Sequence, residues 1–383
     1  MMKMNNGRLF GALTGTVVLW TASASAQVKD INVALIIPQS GPVMVNVQPA
    51  QNSIDMALEE VNAKGIMIKG EKYRFNVKAY NEECTPNLAI QATRAALDQV
   101  KPLHIAWTSM CSTTAVAVRQ LLVDAKVVAI NPTSGTSRFV GPKGDPYLFK
   151  TKEEFEWRTR DLVAYLKGKG YKRGAVIAVN SDWGNESVKV LQKYAKEAQI
   201  ELRLLNYDER NEEFSPMLLQ AREYKADFIF QASQALDEQV AFLRAYQRLG
   251  IKIPLAGEST WTDDVPAKTG WEAINGMVTA TAWLPGNPRP EVQAYVKKYT
   301  QRFKAIPGFN GPGAYDMVHM TAQAFEKTGS LDTEALRKVL RTTTFTNQVY
   351  ADGTIRFDDD GQAQFPVMIT AFDAKTKTRV LAK

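Results

Sequence analysis

The chain offers few residues suited to chemistry. Its 383 residues include two histidines, His104 and His319, and two cysteines, Cys84 and Cys111. That inventory excludes a three-His metal site, a four-thiolate zinc site and a disulfide-dense scaffold. No GxSxG elbow, Walker loop, HExxH or GxGxxG occurs. His104 opens an apolar strand and His319 lies in an apolar helix, so both read as satisfied structural histidines. Asp358-Asp359-Asp360-Gly361 lacks the spacing and terminal Glu of a calcium loop and reads as a solvated turn. A pair of catalytic carboxylates need not be local in sequence, so a secreted hydrolase stays open as the rival class. What stands out instead is a set of polar turns after apolar strands: Gln39-Ser40-Gly41 with Asn46, 109–114, 131–136, 180–183, 231–234, and Gly257-Glu258-Ser259. Small hydroxyl residues ahead of a helix present N–H groups to an anion such as a carboxylate. Glu258 offers an acid to a cation, and Trp183 and Trp261 offer apolar walls.

The elements that must position these turns alternate in kind. Residues 31–37 (INVALII) form a near-continuous apolar run, the mark of a strand buried on both faces. Helical spacing of Ile54, Ala57, Leu58 and Val61 follows over 49–63. Strands at 73–80, 103–108 and 127–130 alternate with helices at 87–100 and 112–125. The pattern restarts with a strand at 174–179 and a helix to 198. Strands at 200–207, 227–230 and 253–256 then alternate with helices at 214–225 and 236–249. Two such series imply two doubly wound α/β lobes, whose ligand crevice lies at the strand C-termini. The last third is less regular, with strands at 277–282, 350–357 and 365–371 and helices at 292–305, 313–327 and 332–341.

The first 26 residues read as an export signal. Lys3 and Arg8 precede a twelve-residue apolar run, and Ala24-Ser25-Ala26 forms an A-x-A cleavage site. That run is too short to span a bilayer. Position 27 is Gln, so no lipid-bearing cysteine follows the cut. Cleavage leaves 357 residues and lowers the net charge from +7 to +5. This charge is spread evenly, without the basic-aromatic stripe that nucleic acid needs. Apolar residues at 45% and charged residues at 23% fit an ordinary folded chain. In an oxidising compartment a Cys84–Cys111 disulfide is the default, against a reactive thiol or a metal pair with His104.

These turns also carry a resemblance. Ser40-Gly41-Pro42, 61–65 (VNAKG) with Ile68-Lys69-Gly70, 81–86 (NEECTP), Cys111-Ser112, Asn131-Pro132 and Asp182-Trp183-Gly184 stand in the order found in periplasmic ligand-binding proteins of the leucine/isoleucine/valine-binding type. These are the capture components of ABC importers, and the resemblance covers essentially the whole exported chain. It implies a type I periplasmic binding protein fold: α/β, two Rossmann-like lobes with three hinge crossovers. Lobe 1 is expected over 27–150 plus 284–358, and lobe 2 over 151–283 plus 359–383. In the branched-chain amino-acid binders the two matching cysteines form a disulfide.

Carried over by position, Ser112 matches the serine that holds the ligand carboxylate. Thr133, Ser134 and Gly135 match the turn that completes that pocket; Gly135 stands where a threonine is usual, with Thr136 as its substitute. Trp183 matches an aromatic from the second lobe, and Glu258 the acid that pairs with an amino-acid ammonium. Asn46 and Gln234 stand where the amino-acid binders place aromatics. The function implied is a non-enzymatic, monomeric periplasmic protein that delivers a small carboxylate to a membrane permease. A hydrophobic or branched-chain amino acid ranks first, and an aromatic carboxylate or amide second. No cofactor, metal or nucleic acid is expected. A chemoreceptor domain is a third reading, disfavoured because no membrane or signalling segment accompanies these lobes.

Overall fold

The computed structural model describes residues 1–2, 28–41, 43–108, 111–141, 144–364 and 366–382. The expected export signal falls almost wholly outside the described residues, as do Pro42 and Ser109-Met110 of the expected turns. Among the described residues, no helix is long and apolar enough to cross a membrane.

The chain forms two separate sheets. The first contains β1 (Lys29–Ile36), β2 (Ile66–Ile68), β3 (Glu71–Tyr80), β4 (Ile105–Thr108), β5 (Ala129–Asn131) and β6 (Leu148–Lys150), in the order β2-β3-β1-β4-β5-β6. All its pairings are parallel except the β2–β3 hairpin. The second contains β7 (Arg173–Val179), β8 (Glu201–Tyr207), β9 (Phe228–Ala232), β10 (Leu255–Gly257) and β11 (Val278–Thr281). A small ribbon, β12 (Arg356–Phe357) and β13 (Ala363–Gln364), precedes its edge strands β14 (Met368–Asp373) and β15 (Thr378–Leu381). Its order is β15-β14-β11-β10-β9-β7-β8.

Helices cover both faces of each sheet, which is why β1 is largely apolar from Ile31 onward: Ile31, Val33, Ala34 and Ile36 are fully buried. On the first sheet lie α1 (Met44–Lys64), α2 (Pro86–Gln99) and α3 (Ser112–Asp124). The second sheet carries α4 (Phe155–Gly168), α5 (Asp182–Glu197), α6 (Ser215–Glu223), α7 (Leu236–Arg248), α8 (Asp264–Thr269) and α9 (Trp271–Ile274). The chain then returns to the first core with α10 (Pro290–Phe303), α11 (Gly311–Thr328) and α12 (Thr333–Thr342). Ile54, Ala57 and Val61 of α1 share a core with Met317, Met320 and Phe325 of α11. Residues 155–280 and Phe372 build the second core. The chain thus crosses between cores after β6, after β11 and before β14, the doubly wound two-lobed α/β architecture that the alternation implied.

Two stretches differ from expectation. α1 begins at Met44 rather than near Pro49, so Asn46 lies in its first turn, not in a loop. Pro49 stands inside the helix, and its ring packs where a Cβ on Gly308 would come within 3.0 Å. The strand expected over 350–357 shrinks to β12. Asp316, fully buried in α11, accepts hydrogen bonds from the N–H groups of Val349 (2.8 Å) and Tyr350 (2.7 Å). Asp352 and Gly353 (φ 91°) then turn the chain, and those N–H groups never reach a ladder.

Cys84 and Cys111 are joined, with Cα atoms 5.5 Å apart. The bridge staples the loop before α2 to the residue that opens α3, beside Ser112. Glu82 and both sulfurs lie within 4.8 Å of one another, but bonded sulfurs provide no thiolate ligands. His104 Nδ1 accepts from the Asn32 N–H at 2.8 Å, a structural role. Asp358 Oδ1 accepts from the Asp360 and Gln362 N–H groups, closing a turn.

Candidate functional site

The strand C-termini of the two sheets face each other across a closed cleft. At its centre is a chamber of about 20 Å³, room for roughly one water. Asn46, Thr133, Gly135, Phe309 and Asn310 wall it from the first lobe, and Trp183, Gln234, Ser259 and Thr260 from the second. Lys152 and Arg158, from the first crossover and α4, complete it. Asn46 Nδ2 donates to the Gln234 carbonyl at 2.7 Å and so bridges the lobes directly. Asn310 Nδ2 holds the Asn46 carbonyl at 3.1 Å.

Five of the nine expected ligand residues therefore line the chamber: Asn46, Thr133, Gly135, Trp183 and Gln234. Ser112, Ser134, Thr136 and Glu258 lie behind its walls. Ser112 Oγ is 3.4 Å from Ser134 Oγ, and both residues are buried. The 131–136 turn satisfies much of itself: Asn131 Oδ1 accepts from the N–H groups of Thr133 (3.1 Å) and Ser134 (2.8 Å). Those two N–H groups are thus engaged before any anion arrives. Thr136 Oγ1 accepts from the Arg138 N–H at 3.2 Å, capping a one-turn helix over Ser137–Phe139. The missing side chain at Gly135 also has a physical reason. A Cβ there would stand 3.1 Å from the Phe155 ring, which packs edge-on against Trp183 with centroids 5.7 Å apart.

Glu258 has a partner of its own. Arg158 Nη2 stands 3.0 Å from Glu258 Oε2, and Ser187 Oγ donates to Glu258 Oε1 at 2.5 Å. Arg158 Nη1 donates to Ser259 Oγ at 2.6 Å, while its Nε and Nη2 make no aligned hydrogen bond among the described residues. Glu153 Oε1 lies 3.6 Å from Arg158 Nη1, and Glu153 Oε2 lies 3.1 Å from Lys152 Nζ. Lys152 Nζ also donates to the Tyr350 hydroxyl at 3.0 Å and lies 4.6 Å from the centre of the Phe309 ring. Tyr350 in turn hydrogen-bonds Glu153. The first and third crossovers meet at Lys150, whose Nζ donates to Gln362 Oε1 and to the Lys152 carbonyl, both at 2.9 Å.

Electrostatics follow from this burial. Loss of solvent pushes Lys150 and Lys152 down to about 8, against the pull of nearby acids. Burial pushes Glu153 up, but Lys152, Arg158 and Tyr350 outweigh it and hold its carboxyl below the usual range. The chamber wall thus carries two cations, Lys152 and Arg158, and, among the described residues, no acid. Both cations escaped the sequence reading. Arg158 had left a signal: it occupies a core position on the buried face of α4, among Phe155, Leu162, Val163 and Leu166. A charge on an apolar stripe asks for a buried partner. Lys152, outside any periodic element, left none.

A family profile described as "Periplasmic binding protein" matches residues 30–377. The leucine-, isoleucine-, valine-, threonine-, and alanine-binding protein of Pseudomonas aeruginosa is 23% identical over 367 residues, covering 94% of each chain. The branched-chain amino acid transporter substrate binding protein of Streptococcus pneumoniae, solved with isoleucine, superposes with a TM-score of 0.80 at 18% identity. That match covers 93% of this chain and 100% of the other. A solute binding protein of an ABC transporter from Rhodopseudomonas palustris, solved with 3,4-dihydroxybenzoic acid, superposes with a TM-score of 0.79 at 21% identity. Here the coverage is 89% and 93%. At these identities the structural likenesses establish the fold.

Proposed function

Because the chain belongs to the periplasmic binding protein family, we propose that it captures a small carboxylate solute between its lobes and delivers it to the permease of an ABC importer. The observation that carries this reading is the chamber wall, which Lys152 and Arg158 line while their acids Glu153 and Glu258 do not. A buried cation with spare donors is a strong carboxylate receptor, because charge-assisted hydrogen bonds gain most where water is excluded. The lobes are assigned as 27–150 with 284–358 and 151–283 with 359–383. In the open state a carboxylate meets the hydroxyls of the first lobe at Ser112 and 133–136. Closure then brings Arg158, Trp183 and Gln234 over it, and the Asn46–Gln234 bond latches the lobes. The 26-residue signal is removed on export, and the protein works as a periplasmic monomer with neither catalysis nor nucleic-acid binding.

Hydrophobic and branched-chain amino acids rank first, in line with the Pseudomonas relative. Aromatic carboxylates are the second reading, and one observation favours them. Glu258, the acid assigned to a ligand ammonium, is already engaged by Arg158 and Ser187. Calorimetric titration of leucine, isoleucine, valine, benzoate and 3,4-dihydroxybenzoate against wild type and Ser112→Ala separates these readings. Binding of a carboxylate that weakens in Ser112→Ala supports the proposal. Unchanged affinity removes Ser112 from the site, and silence across all five acids overturns the carboxylate assignment.

A further inference from the structure

The closed chamber has little room, but a groove beside it has ligand dimensions. This groove of about 550 Å³ runs between the 303–309 segment of the first lobe and the 262–264 turn and β15 of the second. Its volume falls in the range of small-molecule sites. Asn46 and Phe309 wall both spaces, so the groove adjoins the chamber. Tyr299, Phe303 and Ile306 give it an apolar side.

At the second-lobe wall stands Arg379, 4% exposed. Its Nε and Nη1 have no hydrogen-bond partner among the described residues. Asp263 Oδ1, also without one, lies 3.6 Å from that Nε, beyond hydrogen-bond reach. Unmet donors and acceptors at such burial are costly and call for a partner. The two charges already balance, so an added carboxylate would face Asp263 and an added ammonium would face Arg379. The complementary group is neutral, with an oxygen acceptor for Arg379 and an N–H donor for Asp263.

We propose that this groove is a distal arm of the ligand cleft, in which Arg379 and Asp263 together bind a carboxamide-like group on the far end of the carboxylate ligand. The inference rests on the carboxylate reading above, and within it favours an acid carrying a second, neutral polar end over the hydrophobic amino acids. Asp264 and Lys304 also border the groove, but both are solvent-exposed.

The test is calorimetry on the full mature chain with matched probes: benzoate, 4-carbamoylbenzoate and terephthalate, and hexanoate, adipamate and adipate. In wild type at least one acid–amide binds tenfold or more tightly than its plain acid, and more tightly than its diacid. In Arg379→Gln and Asp263→Asn that ratio of acid–amide to plain acid falls to near one. Asp263→Asn, at the less buried partner, keeps the test alive if Arg379→Gln folds poorly. Plain acids that bind with no gain from the amide overturn this inference alone, as does a gain that survives both variants. A gain that goes equally to the diacid overturns the neutral-group chemistry. No binding of any acid overturns both this inference and the carboxylate reading.

Discussion

Replacing Glu258 with Gln probes the Arg158–Glu258 pair. Both side chains are 4% exposed, and the two are separated by 3.0 Å. Removing one member of a buried pair leaves the other charge uncompensated, at a cost of about 3–5 kcal/mol. Glu153, 3.6 Å from the same guanidinium, offsets part of that loss. Glu258→Gln therefore belongs at the lower end, about 3 kcal/mol. For a lobe of this size that corresponds to a drop in Tm of roughly 6–12 °C. Arg158→Met leaves Glu258 buried with only Ser187 and reaches the upper end, whereas the double variant loses far less than the two single losses added together. Urea denaturation followed by tryptophan fluorescence gives the cycle, with an expected coupling of about 2–3 kcal/mol. The ligand arm is independent. With Glu258 engaged by Arg158, Glu258→Gln frees the guanidinium, and plain carboxylates bind at least as tightly as before. A stability loss below about 1 kcal/mol, additive double-variant energies, or a tenfold loss confined to amino acids would refute the reasoning, the last by returning Glu258 to a ligand ammonium.

Other outcomes follow from single contacts. Carboxylate affinity is greatest below pH 8 and declines above it as Lys152 loses its proton. Burial places that group at about 8, and Glu153, Arg158, Tyr350, Glu258 and Lys150 stand around it. Lys152→Met lowers affinity and flattens the calorimetric pH profile between 7 and 9. Asn46→Ala removes the bond to the Gln234 carbonyl, weakening binding about fivefold to tenfold and leaving the liganded protein more open in small-angle scattering. The Cys84→Ser, Cys111→Ser pair opens the loop that the bridge closes across a separation of 27 residues in the unfolded chain and destabilises the first lobe by about 3 kcal/mol. Reductant in the buffer lowers the wild-type Tm to match.

Legibility varied with the range of the interaction. Strand and helix alternation was readable because burial on one or two faces leaves a period in the chain; β1 and α7 lie within two residues of their expected bounds, and α5 ends within one. The apolar spacing over 49–63 leaves out the first residues of α1, which begins at Met44 and holds Pro49 inside it, where Gly308 gives way to the ring. The 350–357 strand failed because Asp316, more than thirty positions away, takes the N–H groups of Val349 and Tyr350. At the cleft, turns at strand ends pointed to Asn46, Thr133, Gly135, Trp183 and Gln234. Lys152, Phe309 and Asn310 carry no local mark, since their role comes from crossovers that bring distant segments together.

From sequence alone came the doubly wound elements, the expectation of an export signal, the two cysteines suited to an oxidising compartment and the ordered motifs of the family. These are local or compositional features, written by burial period, by turn chemistry and by residue count. Only the tertiary structure placed a protein cation at Glu258: an arginine 100 positions earlier packs 3.0 Å from its carboxylate. The same holds for the sign of the chamber. Glu153 and Glu258 turn inward to neutralise Arg158 and Lys152 from behind, leaving only cationic groups at the wall, and a chain read in one dimension does not show which side of a charge faces the ligand.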